Sequence, residues 1–436
     1  MESQTGETDP AGSPGARSEL GCPASQVWAA PRSGRNPGRM ATLGRRGIAA
    51  IILSAGIVLA LVTALVRSYP ELPPPSGSFA VGTTRWDAGL GAAGSTSDAD
   101  RCSVTVQLWY PAEPGTGVGP APYDWGDEGF LTAARWVKTG AALDAAVAAA
   151  QARYPVLLYF PQWGGDPIPY VAMARDFASR GFIVAVVGYD APDCARPEGA
   201  ASSPRADDLD FSSAAAFART VAIADTKITR VGARAEKVLD ALAALDHGDP
   251  RGRFTGRLDL SRTAAIGHSL GGAIALQAAW LDPRIKAAID LDGWLFDAAR
   301  GGWPRQPVLI VGSDGGANPR PEEPDSADPT HRYPSILDVE SDQQISAGFA
   351  KFGGVGEAIG HSMHEDFSDS PYLSRVAGLL GRRPDGHVIR AAADCAATFL
   401  DSVFRGDASP SCKISTPDVQ VVVHRRRSSG AHVNAP

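Results

Sequence analysis

The stretch "RTAAIGHSLGGAIALQAAWLDP", Arg262–Pro283, decides the fold. Its first residues are small or β-branched and predict a buried strand, whereas residues 270–281 have the apolar, Ala-rich character of a helix that Pro283 ends. Between them stands Gly-His-Ser-Leu-Gly, residues 267–271, which matches the G-x-S-x-G pattern of a strand, a sharp turn and a helix. Such a turn lifts the hydroxyl of Ser269 above the sheet, so Ser269 is a candidate nucleophile.

The two outer glycines of this motif have a steric purpose. Side chains at positions 267 and 271 would collide with the strained serine backbone and with the neighbouring strand, and glycine removes both clashes. The helix that follows begins with backbone N–H groups that have no intrahelical partner, and its dipole favours negative charge. We therefore expect the N–H of Leu270 to be the first donor to a developing oxyanion.

A second copy of the motif, "AIGHSM" at 358–363, sets another serine beside a histidine. Ser362 is followed by "MHEDFSDSPYL", which has no glycine two residues on and no immediate helix. The pattern therefore predicts that Ser362 is a loop serine. What this copy supplies instead is a pair of histidines, His361 and His364.

Outside these motifs, short apolar β-rich runs alternate with helical patterns, which predicts an α/β fold with a mainly parallel central sheet and helices on both faces. The predicted strands are 103–110, 155–160, 182–189, 263–267, 286–291 and 307–312. The predicted helices are 168–180, 229–246, 270–281 and 387–405, with the Ala-rich 130–152 as a further helix. Irregular structure is expected at 191–210, at 314–336 and after about 407.

A serine hydroxyl needs an imidazole to take its proton and a carboxylate to orient that imidazole. On this kind of sheet the chain order is serine, acid, histidine. Asp292 follows the strand 286–291 and Asp314 follows the strand 307–312, so both acids have a claim on position alone. Asp290 lies deeper, inside its strand. For the base, His361 and His364 both stand after the last predicted strand.

Several blocks resemble the platelet-activating factor acetylhydrolases of the plasma and type II intracellular kind and their bacterial relatives. The blocks are "GSFAVGTTRWD", "YPVLLYF…GGDP…DFASRGFIVAVVGYD", "GHSLGGA", "AIDLDGWLF" and "HEDFSD". The resemblance covers roughly residues 78–405 and implies an α/β-hydrolase fold. It also implies a serine carboxylic ester hydrolase for phospholipid-like esters with short or oxidised acyl chains, and no cofactor or metal.

The resemblance separates the candidates that position leaves open. The family carries its acid in an L-D-x-W block, which maps onto Leu291–Trp294 and favours Asp292 over Asp314. Its base begins an H-x-x-F-[AS]-D block, and "HEDFSD" begins at His364, which is therefore favoured over His361. His268, beside the serine, is interpreted as a packing residue.

The second oxyanion donor is expected in the loop "PQWGGDP", which follows the strand 155–160. Alignment with the family places Trp163 at the donor position. The family has a His-Gly pair just before the donor, whereas this chain has Pro161 and Gln162. The N–H of Trp163 is the first choice, with the N–H of Gly164 as the alternative.

The N-terminal region has a different composition. Residues 1–46 are rich in Gly, Pro, Ser and Arg and predict a disordered cytoplasmic tail. Residues 47–67 contain an uncharged apolar run long enough to cross a bilayer, which predicts a transmembrane signal-anchor. The rest of the predicted organisation is a Pro-rich linker at 68–78, the hydrolase domain at 79–406 and a flexible C-terminal tail at 407–436.

Arginines concentrate before the apolar run, and this bias predicts a single-pass cell-membrane protein with a cytoplasmic N-terminus and an extracytoplasmic catalytic domain. A secreted protein is the alternative, with Met40 as the start of a cleaved signal peptide. Of the five cysteines, Cys102, Cys194, Cys395 and Cys412 would lie outside the cytoplasm, enough for two disulfides with three pairings.

Composition excludes some partners. The net charge of −7 gives no overall positive field for nucleic acid, and no CxxC or HExxH pattern suggests zinc. The expected partners are a lipid or small-ester substrate and, through the N-terminal helix, a membrane. Two other interpretations stay open: an acyltransferase or peptidase on the same fold, and a membrane-tethered binding module that has lost catalysis.

Overall fold

The computed structural model describes most of the chain after residue 44. The described residues are 45–68, 70–89, 103–123, 137–165, 168–189, 209–296, 302–314, 323–374, 377, 379–380, 384–414 and 421–422. They divide between two compact units, with the boundary between Val58 and Leu59, and the second unit contains the sheet described below.

One sheet of eleven strands organises the second unit. In chain order the strands are β1 (Ala80–Gly89), β2 (Ser103–Ala112), β3 (Gly119–Pro120), β4 (Ala142–Leu143), β5 (Tyr154–Phe160), β6 (Ile183–Val187), β7 (Leu258–His268), β8 (Ile285–Leu291), β9 (Val308–Ser313), β10 (Val355–Ile359) and β11 (Val421–Val422). Their order in the sheet is β11-β10-β9-β8-β7-β5-β6-β2-β1-β4-β3. The six strands from β10 to β6 are all parallel, whereas β2 joins β6 and β1 in antiparallel pairs.

Helices cover both faces of this sheet. The first helix of the chain, α1 (Arg45–Ser68), precedes β1. The helices after β1 are α2 (Val171–Ser179), α3 (Ala214–His247), α4 (Leu270–Leu281), α5 (Pro329–Phe352), α6 (Ser370–Leu373) and α7 (His387–Phe404). Buried residues of α3, α4 and α5 share one apolar cluster with the strands, and those of α2 and α7 share a second cluster. Successive side chains of β7 point to opposite faces of the sheet, since Ala265 belongs to the first cluster and Ala264 and Ile266 belong to the second. The predicted α/β fold with a mainly parallel sheet is confirmed.

All six predicted strands form, and each corresponds to one of β2, β5, β6, β7, β8 and β9. The four main predicted helices also form, although α3 begins fifteen residues earlier than expected, at Ala214 rather than 229. The side chain of Ser213 accepts a hydrogen bond from the N–H of Ala216 at 3.2 Å and so caps this start.

The prediction of a helix in the Ala-rich 130–152 is wrong for the described residues 137–152. Ala142 and Leu143 form β4, which pairs with β1, and Val147 bridges to Ala112. Gly140 has a φ of +66°, which breaks a helical path. Burial against the sheet therefore outweighs the helix propensity of alanine here.

Part of the stretch expected to be irregular, 314–336, is helical. The helix α5 begins at Pro329, and the side chain of Asp328 accepts a hydrogen bond from the N–H of Thr330 at 2.9 Å. An aspartate cap followed by proline in the first turn is a helix start signal that the prediction overlooked. The expected irregular stretch 191–210 lies almost entirely outside the described residues.

The helix α1 covers the predicted anchor segment 47–67. Within the part of the chain that the structure describes, no helix meets both the length and the apolarity that crossing a membrane requires. The membrane anchor therefore stays a prediction.

The residues that precede β1 lie against α2. The N–H and hydroxyl of Ser76 both donate to Asp176 at 2.7 Å, and the N–H of Gly77 donates to the Ser179 hydroxyl at 2.9 Å. Later in the chain, Cys395 of α7 forms a disulfide with Cys412. This is one of the pairs that the cysteine count allowed, whereas Cys102 and Cys194 lie outside the described residues.

Candidate active site

Ser269 stands at the turn between β7 and α4 with φ +58° and ψ −128°. A positive φ is costly for a residue with a side chain, and it persists where the surroundings impose it. The N–H of Ser269 donates to Leu291 at 2.9 Å, and its carbonyl accepts from Gly272 at 2.9 Å. A Cβ added to Gly267 would overlap the backbone of Gly271, and one at Gly271 would overlap the carbonyl of Phe160. The predicted collision of residue 271 with the neighbouring strand is therefore confirmed, whereas a side chain at 267 would meet the backbone of Gly271 rather than that of the serine.

Asp292 follows the last residue of β8 and is held from the neighbouring strand. Its own N–H donates to Val311 at 2.9 Å. Its carboxylate accepts hydrogen bonds from the Ser313 N–H at 2.6 Å and from the Ser313 hydroxyl at 3.0 Å. The remaining partner is His364, whose Nδ1 lies 2.8 Å from Asp292 Oδ2.

These contacts decide the charge of the pair. Burial alone would raise the pKa of Asp292, but the hydrogen bond and charge of His364, with the Ser313 N–H, outweigh it and lower that pKa below its ordinary value. Burial would likewise lower the pKa of His364, but the hydrogen bond and charge of Asp292 raise it above the ordinary value. Asp292 is therefore a carboxylate at neutral pH, and it strengthens His364 as a proton acceptor.

His364 begins a short 3₁₀ helix, His364–Phe367, which follows β10. With Nδ1 occupied by the carboxylate, Nε2 is the ring nitrogen left to exchange a proton with a substrate group. Ser269, Asp292 and His364 line one cavity of about 730 Å³. The structure thus brings together the three residues that the sequence singled out.

The alternative residues have other partners. The carboxylate of Asp314 accepts from the backbone N–H of His361 at 2.6 Å and of Ser362 at 2.8 Å. The hydroxyl of Ser362, which is 1% exposed, donates to the carbonyl of Ile359 at 2.6 Å. Asp314 and Ser362 therefore shape the turn that carries His364.

The loop after β5 lies on the same cavity, which is lined there by Gln162, Trp163 and Gly164. The N–H of Gly165 donates to the Gln162 carbonyl at 2.8 Å and closes a tight turn. The buried ammonium of Lys227 donates to the Trp163 carbonyl at 2.7 Å. Both peptide groups next to Trp163 are thus held in place, as an oxyanion donor requires. Leu270 is the first residue of α4, so its N–H is at the helix start.

The rest of the cavity wall is mainly apolar, with Phe211, Trp294 and Ile345 among its lining residues. Asp338 accepts a hydrogen bond from the Trp294 indole N–H at 2.6 Å and so fixes the orientation of that ring. The volume is within the range of sites for small molecules, about 300–1,000 Å³. Among the described residues, no group of three or more His, Cys, Asp or Glu is placed to hold a metal ion.

Sequence reasoning missed Ser313 and Lys227. Ser313 directly precedes Asp314, the alternative acid, and its two hydrogen bonds orient Asp292. A signal was available, because Ser313 ends a strand parallel to and next to the strand that Asp292 follows. No pattern marked Lys227, which lies inside the long helix α3 and is 3% exposed.

A sequence model of the family described as platelet-activating factor acetylhydrolase, isoform II, matches residues 67–315. A bis(hydroxyethyl) terephthalate hydrolase of Streptomyces coelicolor is 43% identical over 76 residues, 17% of this chain and 24% of that protein. A platelet-activating factor acetylhydrolase of Cavia porcellus is 27% identical over 176 residues, 37% of this chain and 40% of that protein. The matched stretches thus span less than half of either relative.

Among solved structures, a ferulic acid esterase from Streptomyces cinnamoneus superposes with a TM-score of 0.53 at 22% sequence identity. The superposition covers 81% of this chain and 99% of that structure. This similarity identifies the α/β-hydrolase fold of the sheet and its helices.

Proposed function

Because the chain belongs to the platelet-activating factor acetylhydrolase family of the isoform II type, we propose that it is a serine carboxylic ester hydrolase with Ser269, His364 and Asp292 as its catalytic residues. One observation carries this proposal. The imidazole of His364 is paired at 2.8 Å with a carboxylate and lines the same cavity as a serine at a strained turn.

In the proposed reaction, the Ser269 hydroxyl attacks the ester carbonyl while His364 Nε2 accepts its proton. The N–H groups of Leu270 and Trp163 stabilise the negative charge on the carbonyl oxygen. His364 then protonates the leaving alcohol, and an acyl-enzyme on Ser269 remains. Water, deprotonated by His364, releases the acid by the same steps in reverse order.

For the substrate, we propose phospholipid-like esters with short or oxidised acyl chains. The family membership and the apolar cavity of about 730 Å³ support this class. Small aromatic esters and polyesters are the second candidate. The aromatic wall of Phe211 and Trp294 favours them, as does the similarity to a bis(hydroxyethyl) terephthalate hydrolase.

We also propose that residues 47–67 anchor the protein in the cell membrane, with the catalytic domain on the extracytoplasmic side. The apolar composition of this segment and the arginines before it support the proposal. Carbonate extraction of membranes from cells that express the full chain tests it. Release of the protein into the soluble fraction would favour the secreted alternative.

The enzymatic proposal is tested by assaying the full-length chain against p-nitrophenyl esters of graded acyl length and labelling it with a fluorophosphonate. We expect turnover and stoichiometric labelling of Ser269, with activity highest for short acyl chains. Labelling with slow hydrolysis that an acceptor alcohol accelerates would indicate an acyltransferase. A protein with neither turnover nor label would be a binding module.

A further inference from the structure

His268 immediately precedes the proposed nucleophile and is completely buried. Both nitrogens of its ring lie within hydrogen-bond distance of a partner. Nδ1 is 2.8 Å from the hydroxyl of Tyr170, and Nε2 is 2.9 Å from the backbone carbonyl of His364. A histidine that only filled space would not need polar partners on two different segments.

The chemistry of the partners determines where the protons lie. A carbonyl oxygen only accepts hydrogen bonds, so Nε2 of His268 must carry the ring proton and donate a hydrogen bond to the backbone carbonyl of His364. Nδ1 is then the acceptor of a neutral ring, and the Tyr170 hydroxyl must donate to it. Burial, together with the nearby His364, lowers the pKa of His268 to about 3, which agrees with a neutral ring at physiological pH.

The chain of hydrogen bonds continues in the other direction. The Tyr170 oxygen accepts a hydrogen bond from the N–H of Gln162 at 3.0 Å. Gln162 directly precedes Trp163, the proposed second oxyanion donor. The order is therefore Gln162 N–H, Tyr170 hydroxyl, His268 ring and His364 carbonyl, and each donor in it has one acceptor.

This chain of hydrogen bonds connects the three segments on which an ester hydrolase depends. One end is the loop that carries the oxyanion donor, the middle adjoins Ser269, and the other end is the main chain of the base. The ring of His268 also packs against the ring of His364, with centroids 4.6 Å apart, and against that of Phe367, 5.8 Å away.

We infer that Tyr170 and His268 are positioning residues that set the oxyanion loop and the base at a fixed distance from each other around Ser269. The inference rests on the proposed function, because it assigns the two residues to the same site. Neither residue is among those that line the cavity of Ser269 and His364; they act through Trp163 and His364.

The chain offers a matched pair of variants for the test. Tyr170→Phe removes the hydroxyl that links Gln162 to His268. Tyr159→Phe removes a hydroxyl from a neighbouring buried tyrosine, whose ring centroid is 5.1 Å away and whose hydroxyl has no hydrogen-bond partner within the described part of the chain. Both changes delete one buried oxygen, but only the first interrupts the chain.

We expect Tyr170→Phe to lower kcat about tenfold with KM within about twofold, since small displacements of catalytic groups act on the transition state. Tyr159→Phe should stay within about twofold of the wild type in both constants. His268→Gln retains one donor and one acceptor, so it should keep more activity than His268→Leu. The double variant with Tyr170→Phe and His268→Leu should have the same kcat as His268→Leu alone, since either change breaks the same series of hydrogen bonds.

A spectroscopic measurement tests the hydrogen bonds without catalysis. ¹⁵N spectra of histidine-labelled protein should show His268 as a neutral ring protonated on Nε2 from pH 5 to 8. A ring protonated on Nδ1, a charged ring, or equal kinetics for Tyr170→Phe and Tyr159→Phe would overturn the inference. Failure of the proposed function has a different signature, namely full activity in Ser269→Ala.

Discussion

Replacement of Asp292 by asparagine tests the site more sharply than any other change. The carboxylate accepts hydrogen bonds from three groups, namely the Ser313 N–H, the Ser313 hydroxyl and His364 Nδ1. Asparagine has almost the same shape, and its carbonyl can still accept from the Ser313 N–H. Its NH₂ group then faces the two remaining donors, and an NH₂ group cannot accept from either.

This mismatch forces a change of tautomer. His364 must turn an unprotonated Nδ1 toward the new amide, so its proton moves to Nε2, the nitrogen that should receive the proton of Ser269. The change also removes the charge that raises the pKa of His364. Loss of the triad carboxylate with the geometry preserved costs about 10⁴ in kcat, which corresponds to about 5.5 kcal/mol.

The assay is steady-state hydrolysis of p-nitrophenyl acetate, with fluorophosphonate titration of active sites and a thermal melt as a check on folding. Asp314→Asn is the matched control, because Asp314 holds two backbone N–H groups of the turn before His364. We expect a loss of at most about tenfold from that control. A larger loss at position 314 than at position 292 would refute the assignment of the acid.

Three further predictions follow from the same contacts. Ser269→Ala should lower kcat by a factor of about 10⁶. Ser362→Ala should keep activity within about tenfold but lower the melting temperature, because the Ser362 hydroxyl is buried and hydrogen-bonded to Ile359. Equal losses of kcat would show that the wrong copy of the motif was chosen. The acid limb of a plot of kcat/KM against pH should have its midpoint above 6.5, because the neutral form of His364 is required and its pKa is raised; a flat profile down to pH 4 would argue against a histidine base. Asp290 is fully buried, and its pKa is raised well above the ordinary value by burial and by Asp292. Between the pKa of the unfolded chain, about 4, and the raised pKa of the folded chain, the folded chain keeps a proton there that the unfolded chain releases, so the free energy of unfolding falls as pH rises. Within that window, chemical denaturation should show Asp290→Asn gaining on the wild type by about 1.4 kcal/mol per pH unit, and a constant difference from about pH 4 upward would contradict a protonated Asp290.

The central strands were predictable because burial on both faces leaves a continuous apolar run, which is a strong local signal. The strand β1 was missed for the opposite reason. Its sequence "AVGTTRWDAG" mixes glycine, threonine and charged residues, and Arg85 and Asp87 are exposed. Its ten-residue antiparallel pairing with β2 is a long-range contact that no local pattern records.

In the site, sequence position identified the elbow but left the acid open between Asp292 and Asp314. Both residues follow strands that are parallel neighbours, so their backbones reach the same edge of the sheet. The resemblance to a known family favoured Asp292. The physical difference between the two lies in the partners of their carboxylates. The Asp292 carboxylate meets the imidazole of the proposed base, whereas the Asp314 carboxylate accepts from the backbone N–H groups of His361 and Ser362.

The two copies of "AIGHS" show how far local sequence determines a turn. In both copies a strand ends and one residue takes a positive φ. In the first copy it is the serine, Ser269, at +58°, and in the second it is the histidine, His361, at +57°. The outcome then depends on the residues that follow. Gly271 and Gly272 let a helix start against β5 and against the Asp290 carboxyl, where any side chain would overlap, so the hydroxyl of Ser269 is presented to the cavity. The matching positions of the second copy hold His364 and Glu365, whose side chains allow no such approach. The Ser362 hydroxyl instead donates to the carbonyl of Ile359 in the strand that precedes it. The same five residues thus form the turn of the proposed nucleophile in one place and a support for the proposed base in the other.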